Sequence, residues 1–156
     1  MYLTAIILLL FVLPVGSVLV EGLALAHAAG WMALIGKWFV FWAVGVRLLL
    51  AGLMQTLRPQ FTAERIFDVK APAALGMVRE IGFGNIAMGT IGALSLWLGG
   101  WLLPAAVAGG LYYGLAGLGH VVRGGGNPME RVAMVSDFFI FAMLALFVSW
   151  RAFASV

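Results

Sequence analysis

The residues that could do chemistry are few and sit in apolar surroundings. Arg47, Gln55, Glu80, Asn85, Tyr113, His120 and Asp137 all lie within or at the ends of long hydrophobic runs. A histidine and carboxylates held at one depth exchange protons near neutral pH, and with Arg and Asn beside them they can also hold a small polar ligand. The same residues allow a purely structural reading, a buried network in which Asp137 or Glu80 neutralises Arg47 and His120 closes the cluster. His120, Glu80 and Asp137 have the residue types of a His-plus-two-carboxylate metal site, but no Glu-x-x-His or His-x-x-x-His spacing supports one, so no metal is expected. No nucleophile elbow, phosphate loop or dinucleotide fingerprint occurs, and Gly124-Gly125-Gly126 reads as a turn. No residue is assigned a catalytic role, and the sequence identifies no cofactor.

The elements that must position these groups follow from composition. The chain has 156 residues, 64% of them hydrophobic and only 10% charged, against about a quarter charged in a soluble domain. Too little polar surface remains to clothe a water-soluble globule. The expected fold class is therefore all-α, an integral membrane bundle forming a single transmembrane domain over 1–156. Cys is absent, which excludes disulfides, thiolate metal sites and Cys nucleophiles. The net charge of +3 is spread over loops without a basic cluster, so the partner is the lipid bilayer and not nucleic acid.

Five apolar runs have close to the 20 or so residues that cross a hydrocarbon core. They run from Leu3 to about Ala26, Trp31 to Met54, Glu80 to Gly99, Trp101 to Val122, and about Val132 to Trp150. The first reads as a retained helix and not a cleaved signal peptide, because its start carries no Lys or Arg. Residues 57–78 form the one long connection, and a short interfacial helix at 62–70, capped by Thr62 and ended by Pro72, is favoured there over an extended loop. Five crossings put Arg58, Arg65, Lys70, Arg79, Arg123 and Arg131 on one side against Lys37 and Arg151 on the other. That excess places the N-terminus and both polar loops in the cytoplasm. On this topology the polar set gathers at the cytoplasmic end, with Asp137 the first-choice partner of Arg47, and only Glu21, His27 and Lys37 lie at the far end.

Glycines suggest how the helices pack. Gly82, Asn85, Gly89 and Gly92 make one stripe, and Gly110 and Gly114, continued by Gly117, make a small-residue ridge. Close helix contact is the expected reason. The adjacent face of Gly109, Tyr113, Ala116 and His120 leaves a slot beside the imidazole that Tyr113 could line. Leu50-Ala51-Gly52-Leu53 recurs as Leu115-Ala116-Gly117-Leu118, which reads equally as a duplicated helix pair or as coincidence in Leu/Ala/Gly-rich text.

Glu80, Gly82, Phe83, Asn85 and Gly89 make a Glu-x-Gly-Phe-x-Asn-x-x-x-Gly pattern, followed by Gly119-His120, a Gly126-Asn127 turn and Asp137. Over about residues 44–150 this order resembles a bacterial integral-membrane family of unknown function, DoxX-like in size and layout. The 57–78 loop departs from that pattern, as does Gln55, where a His would match His120. The resemblance implies a bacterial inner (cytoplasmic) membrane location and a set of marked residues, but no activity. The leading functional expectation is a non-enzymatic protein, either an accessory subunit with a membrane-protein partner or homo-oligomer, or a small-ligand binder. The alternatives are a quinone- or proton-linked redox component and a small transporter.

Overall fold

The computed structural model describes residues 2–24, 30–124 and 128–154. His27, Gly125, Gly126 and Asn127 lie outside them. The described residues are helical with turns between, and they contain no strand. We number the helices α1 (Leu3–Ala24), α2 (Trp31–Leu57), α3 (Phe61–Ile66), α4 (Ala73–Leu94), α5 (Gly99–Val122) and α6 (Pro128–Phe153). Helices α1, α2, α5 and α6 are each long and apolar enough to cross a membrane. Val20, Leu23, Leu115, Leu146 and Phe153 are among many large apolar side chains left exposed on the outside, as suits lipid contact.

Helix α2 is the centre of the bundle. Its Phe39, Val40, Ala43, Val44 and Leu48 pack with Ala105, Ala106 and Tyr113 of α5, with Ile140, Leu144 and Phe147 of α6, and with Ile6 and Leu10 of α1. Over Val40–Val46 its turns widen to π-helical pairing, as those of α1 do over Leu8–Val12. Helix α5 opens with a 3-10 turn at Gly99–Trp101, and Pro104 sits just beyond, where its missing N–H removes no needed bond.

Two antiparallel seams position the polar residues. In the first, α4 runs back along α2. A methyl group added at Gly92 would lie 2.6 Å from the Gly45 nitrogen, one at Gly89 2.6 Å from the Leu49 nitrogen, and one at Gly82 2.9 Å from the Gly52 carbonyl oxygen. Backbone meets backbone along this line, an approach that a Cβ on any of these three glycines would obstruct. In the second seam, Gly110, Gly114 and Gly117 of α5 face Leu144, Phe141 and Phe138 of α6 in descending order. Gly114 is tight there, with Phe141 2.9 Å from an added methyl. Gly110 is not: the nearest atom, Leu144 Cβ, stands at 3.5 Å, so a side-chain methyl would fit.

Two expectations about elements need correction. The third long helix runs Ala73–Leu94 and not Glu80–Gly99, because Pro72 starts it and Ser95, whose hydroxyl donates to the Gly92 carbonyl at 2.7 Å, lies just beyond its end. Arg79, Glu80 and Asn85 are therefore interior to α4, and they keep it out of the set apolar enough to span by composition. At 22 residues it is nonetheless about 33 Å long. The short helix also differs. Its π-helical stretch covers Phe61–Ile66, with Pro59 and Gln60 already helical before it, so Thr62 lies within it and does not cap it, and Asp68 at φ 54° turns the chain away before Lys70. Thr62 and Ala63 are buried, so this turn is inserted into the end of the bundle and does not lie flat on it.

Candidate functional site

Helical phase decides which polar groups meet. Val78, Gly82, Asn85, Gly89 and Gly92 form the buried stripe of α4. Asn85 is 2% exposed and donates its Nδ2 to Gln55 Oε1 of α2 at 2.7 Å. Its Oδ1 is buried without a hydrogen-bond partner. Glu80 is five residues earlier, about 140° around the helix, and that rotation carries it to the exposed face. Glu80 is therefore no member of the site, contrary to expectation from residue type.

His120 ends α5 facing the start of α6. Its Nδ1 lies 3.0 Å from Glu130 Oε1 and 2.9 Å from Arg123 Nη2, while its Nε2 lies 3.7 Å from Asp137 Oδ2. Arg123 also donates its Nε to Glu130 Oε1 at 2.9 Å. Nδ1 thus meets a donor and an acceptor together. With Nδ1 bare it accepts from Arg123 and its Nε2–H faces Asp137; with Nδ1 protonated it donates to Glu130. One tautomeric exchange moves a proton from the Asp137 side of the ring to the Glu130 side. Both carboxylates are largely buried, whereas Arg123 is 47% exposed, so the chain Asp137–His120–Glu130–Arg123 leads from the interior to the bundle end.

Arg47 does not pair as expected. No carboxylate oxygen among the described residues comes within 4.0 Å of its guanidinium, although its charge acts on Asp137 through space. Equal depth in two helices leaves the rotation about each axis free, and here the two side chains border a common space without touching. Tyr113 also differs from a free ligand group. Its hydroxyl donates to the Ala43 carbonyl at 2.6 Å, within the widened π-helical stretch of α2, and is committed to that bond.

That space is a cavity of about 340 Å³ bounded by α2, α3, α4, α5 and α6. Arg47, Gln55, Asn85, Tyr112, His120 and Asp137 supply its polar wall. Leu48, Ala51, Ile66, Phe67, Leu115 and Ala116 supply much of the apolar remainder. Phe67 reaches it from the chain just after α3, with the Arg123 guanidinium 4.9 Å above its ring. Of the expected site residues, the cavity brings together Arg47, Asn85, Tyr113, His120 and Asp137. Tyr112, Arg123 and Thr62 also line it, and Glu130 holds His120 and Arg123 at its edge; residue type alone singled out none of these four. A signal for Glu130 existed: it lies a few residues past the turn that follows His120, where two antiparallel helix ends must meet.

At the opposite end of the bundle, Glu21 accepts from Lys37 Nζ at 2.7 and 2.8 Å and from Trp38 Nε1 at 2.6 Å, and none of the three lines the cavity. Compared with protein-family models, curated proteins and solved structures, the chain matches none of them.

Proposed function

We propose that this chain is a non-enzymatic small-ligand binder of the bacterial inner membrane, whose cavity opens at the cytoplasmic end of a bundle that crosses the membrane five times. The fifth crossing is α4. Its antiparallel seam with α2 supports that reading, since Gly92 sits against Gly45 and Gly82 against Gly52, so the chain returns across the bundle before α5 begins. Helices α2 and α5 then end on the same side, as Arg123 over Phe67 requires. That end carries most of the Lys and Arg, which favours the cytoplasm.

One observation carries the binding role. Among the described residues Asn85 Oδ1 is a buried acceptor without a hydrogen-bond partner, on a side chain that lines the cavity, and such an atom is costly unless a donor reaches it, about 1–3 kcal/mol. Gln55 accepts from Asn85 Nδ2 at 2.7 Å, which holds the Asn85 side chain in place. The test is mass spectrometry of small molecules extracted from protein purified in native lipid. A molecule bound in stoichiometric amount to the wild type and absent from Ala116→Phe, which fills the cavity, is the expected result. Equal content in both refutes the assignment.

His120 favours a second reading, proton exchange between cavity and cytoplasm, because it faces a buried carboxylate through each ring nitrogen. Proton flux in liposomes that is lost in His120→Gln supports it, and unchanged flux removes it.

A further inference from the structure

We infer that the occupant of this cavity is a neutral amphiphile taken from the bilayer, whose head offers a hydrogen-bond acceptor to Arg47 and a donor to Asn85. The inference rests on the ligand-binding reading and specifies its chemistry.

The two recognition points follow from what the wall lacks. Among the described residues Arg47 has donors but no carboxylate within 4.0 Å, so its guanidinium is served by an acceptor. Asn85 Oδ1 is an acceptor without a donor. Both flank Tyr112, whose hydroxyl neighbours the Asn85 amide and feels the Arg47 charge, so one compact head reaches both. A carbonyl beside an N–H or O–H has this pattern.

Charge excludes the ionic versions. Arg47 and Asp137 offset one another across the cavity, and Arg123 and Glu130 offset one another at its edge. A carboxylate or ammonium head would bring an uncompensated charge into a site with low dielectric.

The route follows from the wall between α4 and α5. Ile81 and Leu115 line the cavity, yet they are 40% and 68% exposed on the outside of the bundle. These two helices pack less extensively on each other than either does on its main partner. The cavity therefore communicates with the lipid side between them, and at about 340 Å³ it has room for a head and the start of a chain. The remainder of the chain lies along Leu115 in the acyl region.

The experiment is native mass spectrometry of the full-length protein in nanodiscs with four probes: decanamide, methyl decanoate, decanoate and butanamide. Decanamide should give a single adduct that Ala116→Phe abolishes. Methyl decanoate, which lacks the donor, should bind about tenfold more weakly, the effect of one hydrogen bond. Asn85→Leu should erase that difference. Butanamide should be weaker than decanamide. Decanoate binding most tightly, or decanamide and methyl decanoate binding alike in the wild type, overturns the neutral acceptor–donor head, and butanamide matching decanamide overturns the bilayer route. Should no probe give an adduct sensitive to Ala116→Phe while an extracted native molecule is, the ligand class is wrong and the binding role stands. Should neither exist, the binding role itself fails.

Discussion

Adding one methyl group at two glycines of α4 should have opposite effects. Gly84 faces outward, with nothing within 4 Å of an added Cβ. There Ala replaces a residue that is about 0.8–1.0 kcal/mol worse in a helix interior, so Gly84→Ala should stabilise by up to that amount. Gly89 faces α2, where the same Cβ would lie 2.6 Å from the Leu49 nitrogen and 3.0 Å from the Gly45 carbonyl oxygen. Both are backbone atoms and neither can swing aside. Ordinary contact needs roughly 3.5–4.0 Å, so α4 must move outward by about 1 Å. Overpacking of this kind costs about 1–3 kcal/mol, and the helix gain offsets only part of it. Gly89→Ala should thus be up to about 2 kcal/mol less stable than the wild type, and the two variants should differ by about 1–3 kcal/mol, or about fivefold or more in the folding equilibrium. The displacement also pulls Asn85 from Gln55, whose bond is 2.7 Å long, so cavity binding should weaken in the same variant. The assay is reversible unfolding in mixed micelles with SDS as denaturant. Equal stability of the two variants would refute the seam, and with it the placement of Asn85.

The remaining expectations concern the cavity wall and the topology. Tyr113→Phe strands the Ala43 carbonyl inside the bundle and should cost about 1–3 kcal/mol in the same unfolding assay; a loss below the error of that assay contradicts the assigned bond. Glu130→Ala removes the carboxylate shared by His120 and Arg123 and should cost about 1–2 kcal/mol, the partial exposure of Arg123 limiting the effect; Arg131→Ala should cost less. A reporter fused after Val156 should report the periplasm and one inserted after Lys70 the cytoplasm. Both reporting the cytoplasm would mean that α4 does not cross.

What was legible in the sequence divides along physical lines. The membrane class followed from the scarcity of charge, which no packing detail can reverse. The Gly82–Asn85–Gly89–Gly92 stripe was legible because heptad-like spacing fixes one face of a helix whatever that face touches. Glu80 was misplaced because residue type was weighed ahead of phase, and about 140° of rotation separates it from Asn85. The Arg47–Asp137 pair was expected from depth, yet depth says nothing about rotation around two different axes. Glu130 was missed because the last helix was started near Val132, and it begins at Pro128, which brings Glu130 inside the helix and against His120. Of the cavity, only the slot beside His120 and Tyr113 was legible; its full extent was not, because it is bounded by five helices, including α3, whose insertion into the bundle end depends on Thr62 and Ala63 being covered.

The measurement that bears most directly on the account is a density map of the protein in native lipid, at a resolution that separates side chains, inspected in the space between Arg47 and Asn85. The account predicts an elongated feature with one end at hydrogen-bond distance from the Arg47 guanidinium and from Asn85 Oδ1, and its other end passing between Ile81 and Leu115. A cavity collapsed by Arg47 turning onto Asp137, or one holding only separate peaks of water, would contradict it.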